Sequence, residues 1–417
     1  METRLWRLRR HTPRDARLSL RDTPCILYIK ESQSMPDNAR IARMKQKAWS
    51  MLDAKQPDEA IAAFKECVEL EPSNLNHQIE LGVAYYKLGK LDEALQVLDK
   101  ILAVDPNHFL ALNNKARILL DRSQHKEALA LYRQILNQDP KHIRTWIKAA
   151  QVMLSLQKYD KADGCIQEAL AVSPNDGELW RERAIIARNA QNLEKASEYI
   201  EKSLEQKATD FDSLREKANI LAALKQFKKA IDAYESALRQ KSSDLDVKVS
   251  LGYAYLADNR PKDALDAFEA VMKEQKNNAK VWDGRGLAFI ALGENARGLV
   301  NRGTAAMIDK NYDEALKRFD AAIESTPNFP EAWSNKGVLL EKLEKYEEAA
   351  DAYQHALKLD PNAIICMHNL GMLYINHLNN RTEGLSWIKN TLKYDPQRWF
   401  KLPTDLRSAV DSVPYHE

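Results

Sequence analysis

Alanines stand at positions 60, 94, 128, 162, 196, 230 and 264, a constant period of 34. The series then steps by 51 to Ala315, returns to 34 at Ala349, and ends 35 further on at Gly384. A fixed period of this length means stacked helical hairpins, each burying its apolar face on its neighbours, and not a globular domain built round a pocket. The pattern accounts for nearly all of the chain, so little remains for a separate catalytic domain.

The other positions of the repeat line up on those alanines. Each alanine opens a second helix, and twelve positions earlier stands another small residue, from Ala48, Gly82 and Ala116 to Gly303, Gly337 and Gly371. Four positions before that small residue lies a large apolar one in most units, often tryptophan (Trp146, Trp180, Trp282, Trp333). Four after each alanine comes Phe64, Leu98, Tyr132, Ile166, Ile200, Tyr234, Phe268, Phe319 or Tyr353, and twelve after it a proline in six units, such as Pro140 and Pro327. Small residues let two helix axes approach, and bulky ones fill the flanking grooves. Spacings of three, four and seven keep them on one face of each helix, and the proline stops the second helix.

These residues resemble the tetratricopeptide repeat family, above all in AWSNKGVLLEKLEKYEEAADAYQHALKLDPNA (332–363). Units start at 41, 75, 109, 143, 177, 211 and 245, then 296, 330 and 364, and together cover about 41–397. The resemblance implies an all-α tetratricopeptide-repeat solenoid: a right-handed superhelix of helical hairpins whose first helices line a concave inner surface that holds other proteins. Units 177, 211 and 245 lack the terminal proline, which leaves their loop shape open.

Composition fits this reading. With 44% apolar residues in a chain of 417, a substantial core is available as a row of local interfaces. Lys and Arg (62) nearly balance Asp and Glu (60), which gives no global field for nucleic acid or an anionic membrane. Four scattered cysteines without a CxxC pair read as reduced thiols in a cytoplasmic protein. No apolar run approaches the ~18 residues of a membrane span. The stretch 1–34 carries seven arginines and Lys30 against four acids. CILYI is too short for a secretory signal, Asp15 and Asp22 weaken a transit-peptide reading, and Met35 reads as a natural start. Residues 1–40 are therefore expected to form a disordered basic extension.

The step of 51 is one and a half repeats. Residues 279–293 and 296–309 both match a first helix, with no second helix between them. Three arrangements are open: one long helix across 279–309, a solenoid broken into two blocks, or 296–309 serving as the second helix of the 279 unit with the later pairs re-formed out of phase. A continuous helix would carry Gly293, Gly298 and Gly303, each costing roughly 0.5–1 kcal/mol relative to Ala. The expectation is a phase break near 293–296 between a repeat block at 41–295 (seven repeats and an extra helix) and one at 296–397 (three repeats). A capping segment at 398–417, with Trp399 and Phe400, closes the array. The plainer reading of the step is a deletion without a role.

Function is sought on the inner face, where ligands of the family touch the second, fifth, sixth, ninth and twelfth or thirteenth residues of each first helix. Asn301, Asn335 and Asn369 share the sixth position and resemble the asparagine ladder of the O-linked N-acetylglucosamine transferase repeat domain, whose amides hold an extended peptide backbone. The plainer reading is a common consensus residue. A second candidate is basic: Asn113, Asn114, Arg117, Arg144, Lys148, Arg181, Arg188 and Arg215, suited to carboxylate or phosphate. Asn114, Arg144 and Lys148 match part of the two-carboxylate clamp of chaperone-binding repeats. Ile79 and Val83 stand where that clamp needs Lys and Asn, so the match fails there. Acids at 121, 178, 182, 212 and 216 favour a solvated, neutralised face.

The chain has no GxGxxG, GxxxxGK[ST], HExxH or GxSxG, and its histidines are isolated, so no enzyme, cofactor or metal site is expected. The sequence reads as a non-catalytic scaffold for partner proteins or extended peptides. An RNA-binding helical-repeat protein using the basic cluster, or a regulatory subunit of an enzyme complex, are the alternatives, and the near-neutral charge argues against nucleic acid.

Overall fold

The computed structural model describes residues 36–54, 56–397 and 402–415. The basic extension up to residue 35 and the caps expected from Trp399 and Phe400 lie outside the described residues. Among the described residues there are 22 α-helices and no strand. Residue contacts divide the chain into two compact units, the boundary falling after Leu131.

The first unit holds α1 (Pro36–Asp53), α2 (Pro57–Leu70), α3 (Leu75–Lys87), α4 (Leu91–Val104), α5 (Phe109–Asp121) and the start of α6 (His125–Gln138). Helix α1 begins at Pro36, so positions 36–40 of the expected extension are helical. Phe64, Leu98, Ile101 and Ile118, each at most 1% exposed, form the core of this unit with Ala48 and Ala94.

The second unit continues with α7 (Ile143–Ser155), α8 (Tyr159–Val172), α9 (Gly177–Asn189), α10 (Leu193–Gln206), α11 (Phe211–Ala223), α12 (Phe227–Gln240), α13 (Leu245–Ala257) and α14 (Pro261–Met272). It ends with α15 (Ala279–Ala291), α16 (Asn295–Ile308), α17 (Tyr312–Ser325), α18 (Pro330–Lys342), α19 (Tyr346–Leu359), α20 (Ile364–Asn376), α21 (Arg381–Tyr394) and α22 (Thr404–Val410). Its core is a succession of small apolar clusters, one per neighbourhood of two or three hairpins, as expected of a repeat array.

Each hairpin is specified locally. Before the first helices, side chains of Asn74, His108, His142, Asp176, Asp210 and Asp244 accept from an amide of the first turn. Tryptophans early in four of them donate from Nε1 to the carbonyl six positions back, as Trp146 does to Pro140 at 2.8 Å and Trp180 to Pro174 at 2.8 Å. Between first and second helix the chain turns through one left-handed residue, and the next amide reaches five positions back. Gln226 N donates to Leu221 O at 2.9 Å over Lys225, whose φ is 58°. Inside a hairpin, glycine lets an aromatic ring lie on the backbone: a Cβ at Gly303 would meet Phe319 at 2.5 Å, and one at Gly337 would meet Tyr353 at 2.7 Å.

The left-handed turn residues recur with the same period from Gly89 to Gly293, and the next, Lys310, follows after half a period. Helices α15 and α16 are separate, so the single helix across 279–309 does not form. Glu294 N donates to Phe289 O and Asn311 N to Ala306 O, both at 2.9 Å, so the same tight turn enters and leaves α16. On its first half α16 is the second helix of α15: Gly298 and Gly286 face each other so closely that a Cβ on either would lie 2.7 Å from the other's carbonyl oxygen. On its second half it is the first helix of α17, with Gly303 under Phe319. The arrangement in which 296–309 serves as the second helix of the 279 unit is adopted only in part: the later pairs do not re-form out of phase, because α16 is shared and Gly303 still meets Phe319 and Gly337 still meets Tyr353. The boundary expected at 295/296 falls inside the second compact unit. At its end α22 lays Leu406 and Val410 against Leu385 and Ile388 of α21, with Leu402 between them.

Candidate peptide-binding face

The three asparagines of the expected ladder are not equivalent. Asn301 is 4% exposed. Its Oδ1 accepts from Arg285 Nη1 at 3.0 Å and its Nδ2 donates to Arg297 O at 2.7 Å. The cause is the shared helix, because the sixth position of the unit starting at 296 meets Arg285 of α15 where it would otherwise face open space. Asn335 is half-buried and donates from Nδ2 to Glu331 O at 2.8 Å, which leaves Oδ1 for a ligand. Asn369 hydrogen-bonds the Tyr353 hydroxyl, which burial pushes far above the usual tyrosine range. It also lines a cavity of about 400 Å³ with Val338, Glu341, Lys342, Tyr346 and His377.

Asn335 stands on the wall of a larger groove of about 590 Å³ between α18 and the start of α20. Glu331, Ser334, Asn335 and Val338 come from the second, fifth, sixth and ninth positions of α18, and Ile364 and Ile365 from α20. Ile365 is 66% exposed, unusual for so large an aliphatic side chain within a helix. This apolar floor was not among the expected site residues. The second position of the last unit held the signal, since an isoleucine there lies outside the core.

The basic candidates divide between the two units. In the first, Asn113 and Asn114 are each 8% exposed, and Arg117 lays its guanidinium over the Tyr86 ring at 4.2 Å. In the second, Arg144 is exposed and Lys148 half-buried on α7. Arg181 lies 3.5 Å from both Glu178 and Asp210, Arg188 pairs with Glu216 at 2.5 Å, and Arg215 with Asp212 at 2.9 Å. The three arginines of α9 and α11 are thus held by internal acids. Glu182 between them is raised by burial, against Arg181 and a hydrogen bond from Gln151 that pull it down.

Among the described residues no group of three His, Cys, Asp or Glu side chains is placed to hold a metal, and no helix is long and apolar enough to cross a membrane. The described cysteines Cys67, Cys165 and Cys366 are unpaired, and burial raises all three thiols, Cys366 to about 12.

Tandem hairpins of this geometry, with grooves along the first helices, define an α-helical repeat protein. The chain belongs to the tetratricopeptide repeat family: family models match residues 51–118, 119–181, 221–287 and 300–364. It is similar to the tetratricopeptide repeat-containing protein trd-1 of Caenorhabditis elegans, 29% identical over 108 residues, covering 25% of this chain and 14% of that protein. It is also similar to the N-terminal acetyltransferase A complex auxiliary subunit NAA15 of Arabidopsis thaliana, 32% identical over 87 residues, covering 21% and 10%. The match thus spans about a seventh or less of these relatives' length. Among solved structures, a tetratricopeptide repeat protein from Parabacteroides merdae ATCC 43184 matches with a TM-score of 0.49 at 18% identity, covering 60% of this chain and 99% of that one.

Proposed function

We propose that the protein is a non-catalytic scaffold that binds partner proteins through extended peptide segments laid along the inner face of its first helices. The groove between α18 and α20 carries this reading: four successive ligand-facing positions of one first helix line it, beside an exposed isoleucine of the next. Asn335 supplies an acceptor for a peptide N–H, so part of the recognition is of backbone and tolerates sequence. Asn369 extends the same face, while Asn301 stabilises α16 and is not a ligand contact. Arg144 and Lys148 form a smaller, separate cationic spot.

The RNA reading is weaker. The inward positions of α9, α11 and α13 carry Arg181, Arg188 and Arg215 against Glu178, Glu182, Asp212, Glu216 and Asp246, a net negative strip that repels phosphate. A regulatory subunit remains within the scaffold reading, since a held partner can be an enzyme, and similarity to an auxiliary subunit supports that extension. The cytoplasm, where the unpaired thiols stay reduced, is the compartment this reading assigns.

The test is site-specific photo-crosslinking in cell extract, with a benzophenone amino acid at Val338 in the groove and, separately, at the exposed Lys317 of α17. Partners crosslinked from Val338 and not from Lys317 support the proposal. Equal capture from both positions, or none from Val338, contradicts it.

A further inference from the structure

The groove between α18 and α20 has a chemistry that narrows its ligand. Its walls include two acids, Glu331 on α18 and Asp360 in the loop before α20, and among the described residues no lysine or arginine. Its floor is aliphatic, with Val338 and Ile364 beside the 66% exposed Ile365. Elsewhere on α18, Lys336 turns away to pair with Asp320 at 2.7 Å, so that cation does not neutralise the groove. Asp360 holds its own loop, accepting from Asn362 N at 3.0 Å, which fixes one carboxylate at the rim.

We infer that the groove takes an extended segment in which lysine or arginine alternates with leucine, isoleucine or valine. The inference rests on the peptide-binding reading above and adds the class of ligand. In an extended chain successive side chains point to opposite faces, about 3.3 Å apart along the strand. Aliphatic residues of one face enter the pocket over Ile364 and Ile365, and basic residues of the other reach the acids along the rim. Asn335 Oδ1 accepts from the backbone between them. The acids repel an acidic peptide, so they select as well as attract. The aliphatic contact supplies the affinity, because rim charges alone are screened by salt.

The test selects random dodecapeptides displayed on phage against the full-length chain and, in parallel, against an Ile365→Ser/Glu331→Lys variant. Both positions are exposed, so the substitutions leave the hairpins intact, which circular dichroism and a urea titration verify. The expected result is a wild-type pool enriched in Lys or Arg alternating with aliphatic residues and absent from the variant pool. Its synthetic consensus should bind the variant at least about tenfold more weakly, roughly 1.4 kcal/mol. A pool that is lost on the variant but is acidic or uncharged leaves the groove as a peptide site and overturns the ligand class. Identical pools on both proteins, or no enrichment on either, overturn the peptide-binding reading itself.

Discussion

One residue on each helix decides how closely the two helices of a hairpin pack. At Gly252, Gly303 and Gly337 the second helix answers the glycine with a ring, and Gly337 lies against Tyr353 so closely that an added Cβ would stand 2.7 Å from it. Gly337→Ala is therefore expected to destabilise by about 1–3 kcal/mol, the cost of overpacking, and a urea midpoint unchanged from wild type would show that the ring can yield. The turn residues act in the opposite direction. Lys225 holds φ at 58° without being glycine. Lys225→Gly relieves a left-handed strain of about 1–2 kcal/mol while adding freedom to the unfolded chain, for a net gain of up to about 1 kcal/mol in the same titration. At this scale the sequence was readable where packing fixes the residue type. Ala60, Ala94, Ala128 and their successors in the series through Ala349 are all 0% exposed. It was much less readable on the inner face. Arg181, Arg188 and Arg215 look like ligand contacts by position; the acids at 178, 212 and 216 point in the sequence to a neutralised face, but which acid each arginine meets, Asp210 among them, is visible only in the structure.

Among the elements, α16 is the departure from regularity. Gly298 lies one full period after Ala264, so the small-residue series continues through it, and a second series offset by half a period begins at Ala315. Read this way, 294–310 is an inserted half-repeat and not the scar of a lost helix. The phase break was legible in the spacing. Its resolution was not, because Gly298 was read as part of a first helix while it packs as the alanine of a second. Deleting 294–310 joins Gly293 to Asn311 and places Phe319 over Gly286, the pairing that Gly303 makes in the intact chain. The shortened protein is expected to fold, losing helicity in proportion to one helix and keeping a cooperative urea transition. A collapsed or aggregated product would mean that α16 has contacts a regular hairpin cannot replace.

Over the whole molecule, stability is a sum of neighbouring interfaces, so a change at one place is felt mainly there. Buried phenols give this a pH signature. Burial raises Tyr234, Tyr253 and Tyr255 from 10.0 to about 12. A group whose folded pKa is raised contributes stability that is intact below the unfolded value and disappears as pH climbs through the folded one. The hairpins from α11 to α15 should therefore weaken between pH 10 and about 12. Amide exchange there should quicken first, and a profile flat across that range would contradict the burial. The same locality makes the binding claim directly measurable. Hydrogen exchange of the full chain, with and without the peptide selected on it, should show protection confined to α18, the loop at 360–363 and the start of α20, with α7 to α11 unchanged. Protection centred on α7 to α11, or on the outer second helices, would contradict the inner groove as the place where this protein holds its partners.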